Sequence, residues 1–151
     1  MSEAGDRLRE LLERVVEALG VDARVEVEED DETLRGTVEG DDLGVLIGRH
    51  GQTIDALEHV ASRVAFRADT ERKRVVVDAA GYRARRAEAL ERQADKAASE
   101  AVRFGRPVAL DAMVASERRV VHEFLRDRHD VETYSEGEEP DRHLVVAPVV
   151  S

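Results

Sequence analysis

With 151 residues, 42% of them hydrophobic, the chain has material for one large domain or two small ones with a buried core. No cysteine is present, which excludes disulfides, thiol catalysis and cysteine-based zinc sites, and no apolar run approaches the ~20 residues of a membrane span. The net charge of −11 argues at first against a polyanionic partner, and an aromatic content of 3% leaves little for base stacking.

The amino terminus, Met-Ser-Glu-Ala-Gly-Asp, has neither the basic nor the apolar region of a signal peptide, so a cytoplasmic protein without membrane insertion is expected. Leu8, Leu11, Leu12, Val15, Val16 and Leu19 recur at helical spacing, and Gly20 stops that helix. Ala23 to Glu28 alternates apolar and charged residues as a half-buried strand does. A polar turn over Glu28 to Glu32 leads to a second alternating segment, Thr33 to Glu39, predicted to pair with the first as a hairpin. A short apolar helix over Leu43 to Ile47 runs into Gly48-Arg49-His50-Gly51, and a longer helix carries Ile54, Leu57, Ala61 and Val64 on one face. Arg72 to Asp78 reads as a third strand with a basic start.

Ala79-Ala80-Gly81 is the best boundary, dividing a first module (residues 1–79) from a second (80–151). The second is predicted to hold a charge-rich helix from Tyr82 to Arg103, a brief strand at Pro107 to Leu110 and a helix from Ala112 to Arg128. Two closing strands are expected, Val131 to Ser135 and His143 to Ala147.

Charge is distributed unevenly. Residues 1–42 hold 15 acids against 5 bases, residues 43–128 hold 13 against 17, and residues 129–151 hold 6 against 1. The glycine loop therefore lies in a mildly basic segment between acidic ends, and local field governs polyanion binding more than total charge does. Glycines let backbone N–H groups approach a phosphate, and the helix that follows adds unpaired donors and the positive end of its dipole.

Helix–strand–strand–helix–loop–helix–strand, with Ile47-Gly48-Arg49-His50-Gly51-Gln52-Thr53-Ile54 between the two helices, resembles a type II KH domain. KH domains clamp about four nucleotides of single-stranded nucleic acid. The resemblance implies that Gly48, Arg49, His50 and Gly51 contact the sugar-phosphate backbone, with Ile47 and Ile54 anchoring the loop in the core. Arg118 and His122, four apart in Glu117-Arg118-Arg119-Val120-Val121-His122, share a helix face. They resemble the signature of the R-three-H domain, a single-stranded nucleic-acid module named for an Arg and a His separated by three residues.

Both motifs in this order, with Asp78-Ala79-Ala80-Gly81-Tyr82-Arg83 and Ser135-Glu136-Gly137-Glu138-Glu139-Pro140-Asp141-Arg142, resemble the Jag family, also called SpoIIIJ-associated or KhpB. The resemblance implies an α+β protein of two small α/β modules in tandem, lacking the N-terminal Jag domain that many members carry. It implies a non-catalytic protein binding single-stranded RNA, or single-stranded DNA at Arg118 and His122. It also implies a small KH-only (KhpA-like) partner, and a role as RNA chaperone or post-transcriptional regulator linked to cell elongation and envelope growth. The alternative is a protein-interaction scaffold with incidental nucleic-acid affinity.

Auxiliary candidates are Arg72, Lys73, Arg74, Arg119 and Arg142. The first three, with Arg83, Arg85 and Arg86, form either a positive track or a solvated face. Arg142 either lies beside the helix of Arg118 or pairs with a nearby acid. No cofactor is expected, the five histidines have no metal-ligand spacing, and no catalytic motif is recognised.

Overall fold

The computed structural model describes residues 2–67 and 72–150, and divides into two compact units, Met1–Arg83 and Ala84–Ser151. In the first unit, helix α1 (Glu3–Leu19) begins where the Ser2 hydroxyl accepts the Gly5 N–H and ends at left-handed Gly20. Its Leu8 and Leu12 are fully buried, each stabilising the fold by about 1.5–3 kcal/mol relative to an exposed side chain. They lie over strand β2 (Thr33–Gly40) where it lacks a side chain, since a Cβ on Gly36 would come within 2.5 Å of Leu12.

Strand β1 (Ala23–Glu29) pairs antiparallel with β2, Val25 opposite Val38, as the alternation predicted. The connecting turn is shorter than expected. Glu28 and Glu29 belong to β1, and the turn closes where the Asp30 carboxylate accepts the N–H groups of Glu32 and Thr33. After β2 come helix α2 (Gly44–Ile47), a 3-10 turn over Arg49–Gly51, and helix α3 (Gln52–Ala65). The chain then returns as β3 (Arg74–Ala79), parallel to β2, giving the sheet order β1-β2-β3. A parallel pair requires a crossover connection, so the glycine loop is built into the one that links β2 to β3. Arg7 of α1 caps α3 by donating to the carbonyl of Ala65 at 2.6 Å, where helix carbonyls lack intrahelical partners.

The second unit follows along helix α4 (Tyr82–Phe104), whose Leu90, Ala94, Ala97, Ala98 and Ala101 are buried. Strands β4 (Val108–Ala109), β5 (Val131–Glu136) and β6 (His143–Pro148) form an antiparallel sheet in the order β4-β6-β5. Helix α5 (Ala115–Leu125) places Val121 and Leu125 in a core with Leu90, Ala94, Leu144 and Val146. The helix predicted over Ala112 to Arg128 is thus shorter at both ends. Before it, buried Met113 donates its N–H to the Arg142 carbonyl at 3.2 Å, and Val114 is extended at ψ 161°. Each unit is an α+β module, and the two stand in tandem along the chain.

Candidate nucleic-acid interface

The loop between α2 and α3 is held by its flanks and strained at its centre. Leu46 and Ile54 are fully buried on either side, while Ile47 is half-buried and packs against the same core. Gly48 lies at φ 76°, ψ 177°, a region essentially reserved for glycine. A Cβ there would lie 2.3 Å from the Thr53 hydroxyl oxygen and 2.9 Å from the Thr53 backbone nitrogen. Gly51 is left-handed at φ 77°, and a Cβ on it would lie 2.4 Å from the Tyr82 hydroxyl oxygen. Between them His50 is left-handed at φ 56°, which histidine adopts more readily than most side chains.

These torsions turn the Arg49 and His50 side chains outward. Both residues are exposed and make no side-chain hydrogen bond or ion pair among the described residues. Gly51 is the N-cap of α3 and no side chain caps that helix. Gln52 already donates its N–H to the Arg49 carbonyl, while the rest of the first turn and the positive end of the dipole face the loop, an arrangement suited to an anion.

Two carboxylates near that helix end would oppose a phosphate, and both are engaged. Asp55 and Glu58 of α3 accept from the Arg83 guanidinium at 2.5 and 2.9 Å. Burial works against the Arg83 charge. Its hydrogen bond to Asp55 and the charges of Glu58, Asp55 and Asp78 outweigh that effect and hold its pKa above the ordinary arginine value. The network also reaches the sheet, since Arg83 Nε donates to the Val77 carbonyl and the Val77 N–H donates to Glu58. The Asp78 carboxylate accepts from the N–H groups of Ala79 and Arg83.

In the second unit Arg118 and His122 lie four residues apart on α5, but their side chains differ in availability. Arg118 is only 11% exposed and donates to the Met113 carbonyl at 2.6 Å and to Glu139 at 3.0 Å. Glu139 is 60% exposed. His122 is exposed, and its Nδ1 shares a hydrogen bond with the Thr133 hydroxyl of β5. Arg142 donates to the Gly137 carbonyl at 2.6 Å, and its own carbonyl accepts from Met113, which places its backbone beside the start of α5. Arg119 is exposed with no partner among the described residues.

Residues 6–78 match the KhpA/KhpB KH-domain family and residues 88–148 match the R-three-H domain family. RNA-binding protein KhpB of Clostridium symbiosum is 39% identical over 144 residues, covering 94% of this chain and 65% of that protein. RNA-binding protein KhpB of Bacillus subtilis is 36% identical over 138 residues, covering 90% of this chain and 66% of that protein. That of Lactiplantibacillus plantarum is 38% identical over 133 residues, 88% of this chain and 41% of the relative. The chain carries a KH domain of the KhpA/KhpB type followed by an R-three-H domain. It spans just under two thirds of the length of the first two of these KhpB proteins.

The other basic candidates separate by their partners. Lys73 is held by Glu29 at 2.9 Å and by the Asp30 carbonyl at 2.7 Å. Hydrogen bonds from Ser2 and then Lys73 hold the Glu29 carboxyl below its usual range. Arg86 pairs with Glu117 at 2.5 Å, and Arg83 is committed to α3. Arg72 and Arg74 are exposed and have no side-chain acid partner among the described residues. Lys73, Arg83 and Arg86 therefore act inside their units as ion-pair donors, which reduces the charge available to a continuous positive track. Among the described residues no group of acids and histidines is arranged to hold a metal ion, and no helix is long and apolar enough to cross a membrane.

The sequence reading missed the left-handed His50 and the roles of Tyr82 and Arg83 beneath the loop. The Gly81-Tyr82-Arg83 segment carried the only signal, through its place in the family-like junction.

Proposed function

We propose that this chain binds single-stranded RNA without catalysing a reaction on it, taking the sugar-phosphate backbone at Gly48, Arg49, His50 and Gly51. The observation that carries this function is the loop itself, with two outward polar side chains, unpartnered among the described residues, at a helix N-terminus that no side chain caps and whose nearby Asp55 and Glu58 carboxylates are both held by Arg83. The KhpB relatives are named as RNA-binding proteins, which supports the same ligand class. Arg118 and His122 supply a second contact, to RNA or single-stranded DNA, in which a phosphate oxygen replaces the Glu139 carboxylate on Arg118. Arg72, Arg74 and Arg119 add peripheral charge. A cytoplasmic location, a small KH-only partner, and a role as RNA chaperone or post-transcriptional regulator tied to cell elongation rest on the family resemblance.

Titration of the full chain with a single-stranded oligoribonucleotide at several salt concentrations tests the proposal. About four phosphate contacts predict a log–log slope of roughly −3. No measurable binding at low salt, or binding indifferent to salt, rejects it. Glu139→Gln tests the second contact. Removing one negative charge ~4 Å from a phosphate in water is worth about 1 kcal/mol, so affinity should rise about fivefold. Unchanged affinity, with the fold intact by circular dichroism, would mean that Arg118 only braces the Gly137–Arg142 turn.

A further inference from the structure

The turn after α4 carries an aromatic–cationic group that the functional assignment above does not use. Phe104, the last residue of α4, is 57% exposed. The guanidinium carbons of Arg103 and Arg106 stand 5.3 and 5.6 Å from its ring centroid. Gly105 is left-handed at φ 64°, and the Arg106 N–H bonds back to the Ala101 carbonyl. This helix-ending turn returns the chain so that Arg106 reaches the ring that Arg103 also reaches. All three side chains are exposed, and neither arginine has an acid partner among the described residues.

That combination is unusual within this molecule. The chain carries 34 acids against 23 lysines and arginines, so an unpaired arginine pair is not explained by a shortage of carboxylates. Cations near a helix C-terminus gain from the dipole, which accounts for the charges. It does not account for a phenylalanine left in solvent, when burying that ring would be favourable. Of the other two phenylalanines, Phe66 is buried and Phe124 is less exposed, at 39%. A flat apolar ring with two delocalised cations close by matches the chemistry of a nucleotide in a single strand. The base stacks on a ring or a guanidinium plane, and the adjacent phosphate takes the charge.

We propose that Arg103, Phe104 and Arg106 form a further single-strand contact on the second unit, taking one unpaired base by stacking and its phosphate by charge. The proposal rests on the chain's being an RNA-binding protein. Contact through one exposed ring is tolerant of base identity, because every base has a π-face.

The test uses the full chain, a single-stranded oligouridylate and a matching strand without bases. Phe104→Ala should weaken uridylate binding roughly five- to a hundredfold and leave the salt slope unchanged. Arg103→Gln with Arg106→Gln should make the slope shallower by about 0.7 for each phosphate that is no longer neutralised. The base-free strand should bind the unaltered chain and Phe104→Ala equally. Because Phe104 is exposed, circular dichroism should report an intact fold. If the unaltered chain binds oligouridylate and Phe104→Ala binds it as tightly, this contact is rejected while the RNA-binding function stands. An equal loss on the base-free strand rejects stacking. If the unaltered chain binds no RNA, the proposed function itself falls, and this contact with it.

Discussion

Arg49→Asp combined with His50→Asp should weaken single-stranded RNA binding about a hundredfold while leaving the first unit folded. With histidine counted as uncharged at pH 7, the change takes the formal charge of the pair from +1 to −2, a difference of three units beside the phosphate path. At ~4 Å in water each unit is worth about 1 kcal/mol, so the expected loss is about 3 kcal/mol. The fold should survive because both side chains are exposed and unpartnered among the described residues. Aspartate also tolerates the left-handed backbone that His50 adopts. A fluorescence-anisotropy titration measures the loss, and its salt slope should become shallower as fewer phosphates are neutralised. Affinity equal to that of the unaltered chain would remove the loop from the binding site.

Gly48→Ala should act in the opposite way, through stability first. At φ 76° and ψ 177° only glycine is comfortable, and another residue there costs about 1–3 kcal/mol. The new methyl group would also meet the Thr53 hydroxyl oxygen at 2.3 Å and the Thr53 backbone nitrogen at 2.9 Å. A side chain can rotate away, but a backbone nitrogen in the first turn of α3 cannot, so the total should be about 3 kcal/mol. Urea unfolding, with amide exchange followed in β1, β2 and β3, measures it in the unit concerned. Undiminished protection in those strands would show that the loop does not hold the Gly48 conformation described. Taken together, the two substitutions separate what the loop contacts from what the loop requires.

The elements that sequence made legible are those governed by local pattern. Leu8, Leu12 and Val16 repeat once per helical turn and Gly20 ends the run, so α1 could be placed from spacing alone. Val25 and Val27 alternate with glutamate and arginine, so β1 was equally plain. The parallel pairing of β3 with β2 was not, because nothing in Arg74 to Ala79 specifies which strand lies alongside.

Partners distant in sequence were hidden for the same reason. Arg118 reads as a cation on a helix face. Its burial against Met113 and Glu139 depends on a turn some twenty residues later. Lys73 reads as part of a basic run, yet it is taken by Glu29 across the sheet. Arg83 likewise reads as one of several arginines, and only the packing of α3 against β3 shows that two carboxylates claim it. The start of α5 was misplaced because Met113 is tied by its N–H to the Arg142 carbonyl and Val114 is extended, both set by packing against the later turn. Exposed loop residues, which depend least on such distant partners, were the part of the candidate site most readily read.

The contacts around Val77 bear on a different hazard. β3 is an outer strand of its sheet, and outer strands offer unpaired backbone groups that recruit strands from other chains. Here Val77 presents both its groups on the side away from β2, and neither is vacant, since Glu58 takes the N–H and Arg83 takes the carbonyl. The Ala79 N–H is likewise taken by Asp78. The polar network that holds the Asp55 and Glu58 carboxylates therefore also obstructs intermolecular pairing along this margin at Val77 and Ala79. Loss of Arg83 would then expose the protein to self-association as well as to weaker RNA binding.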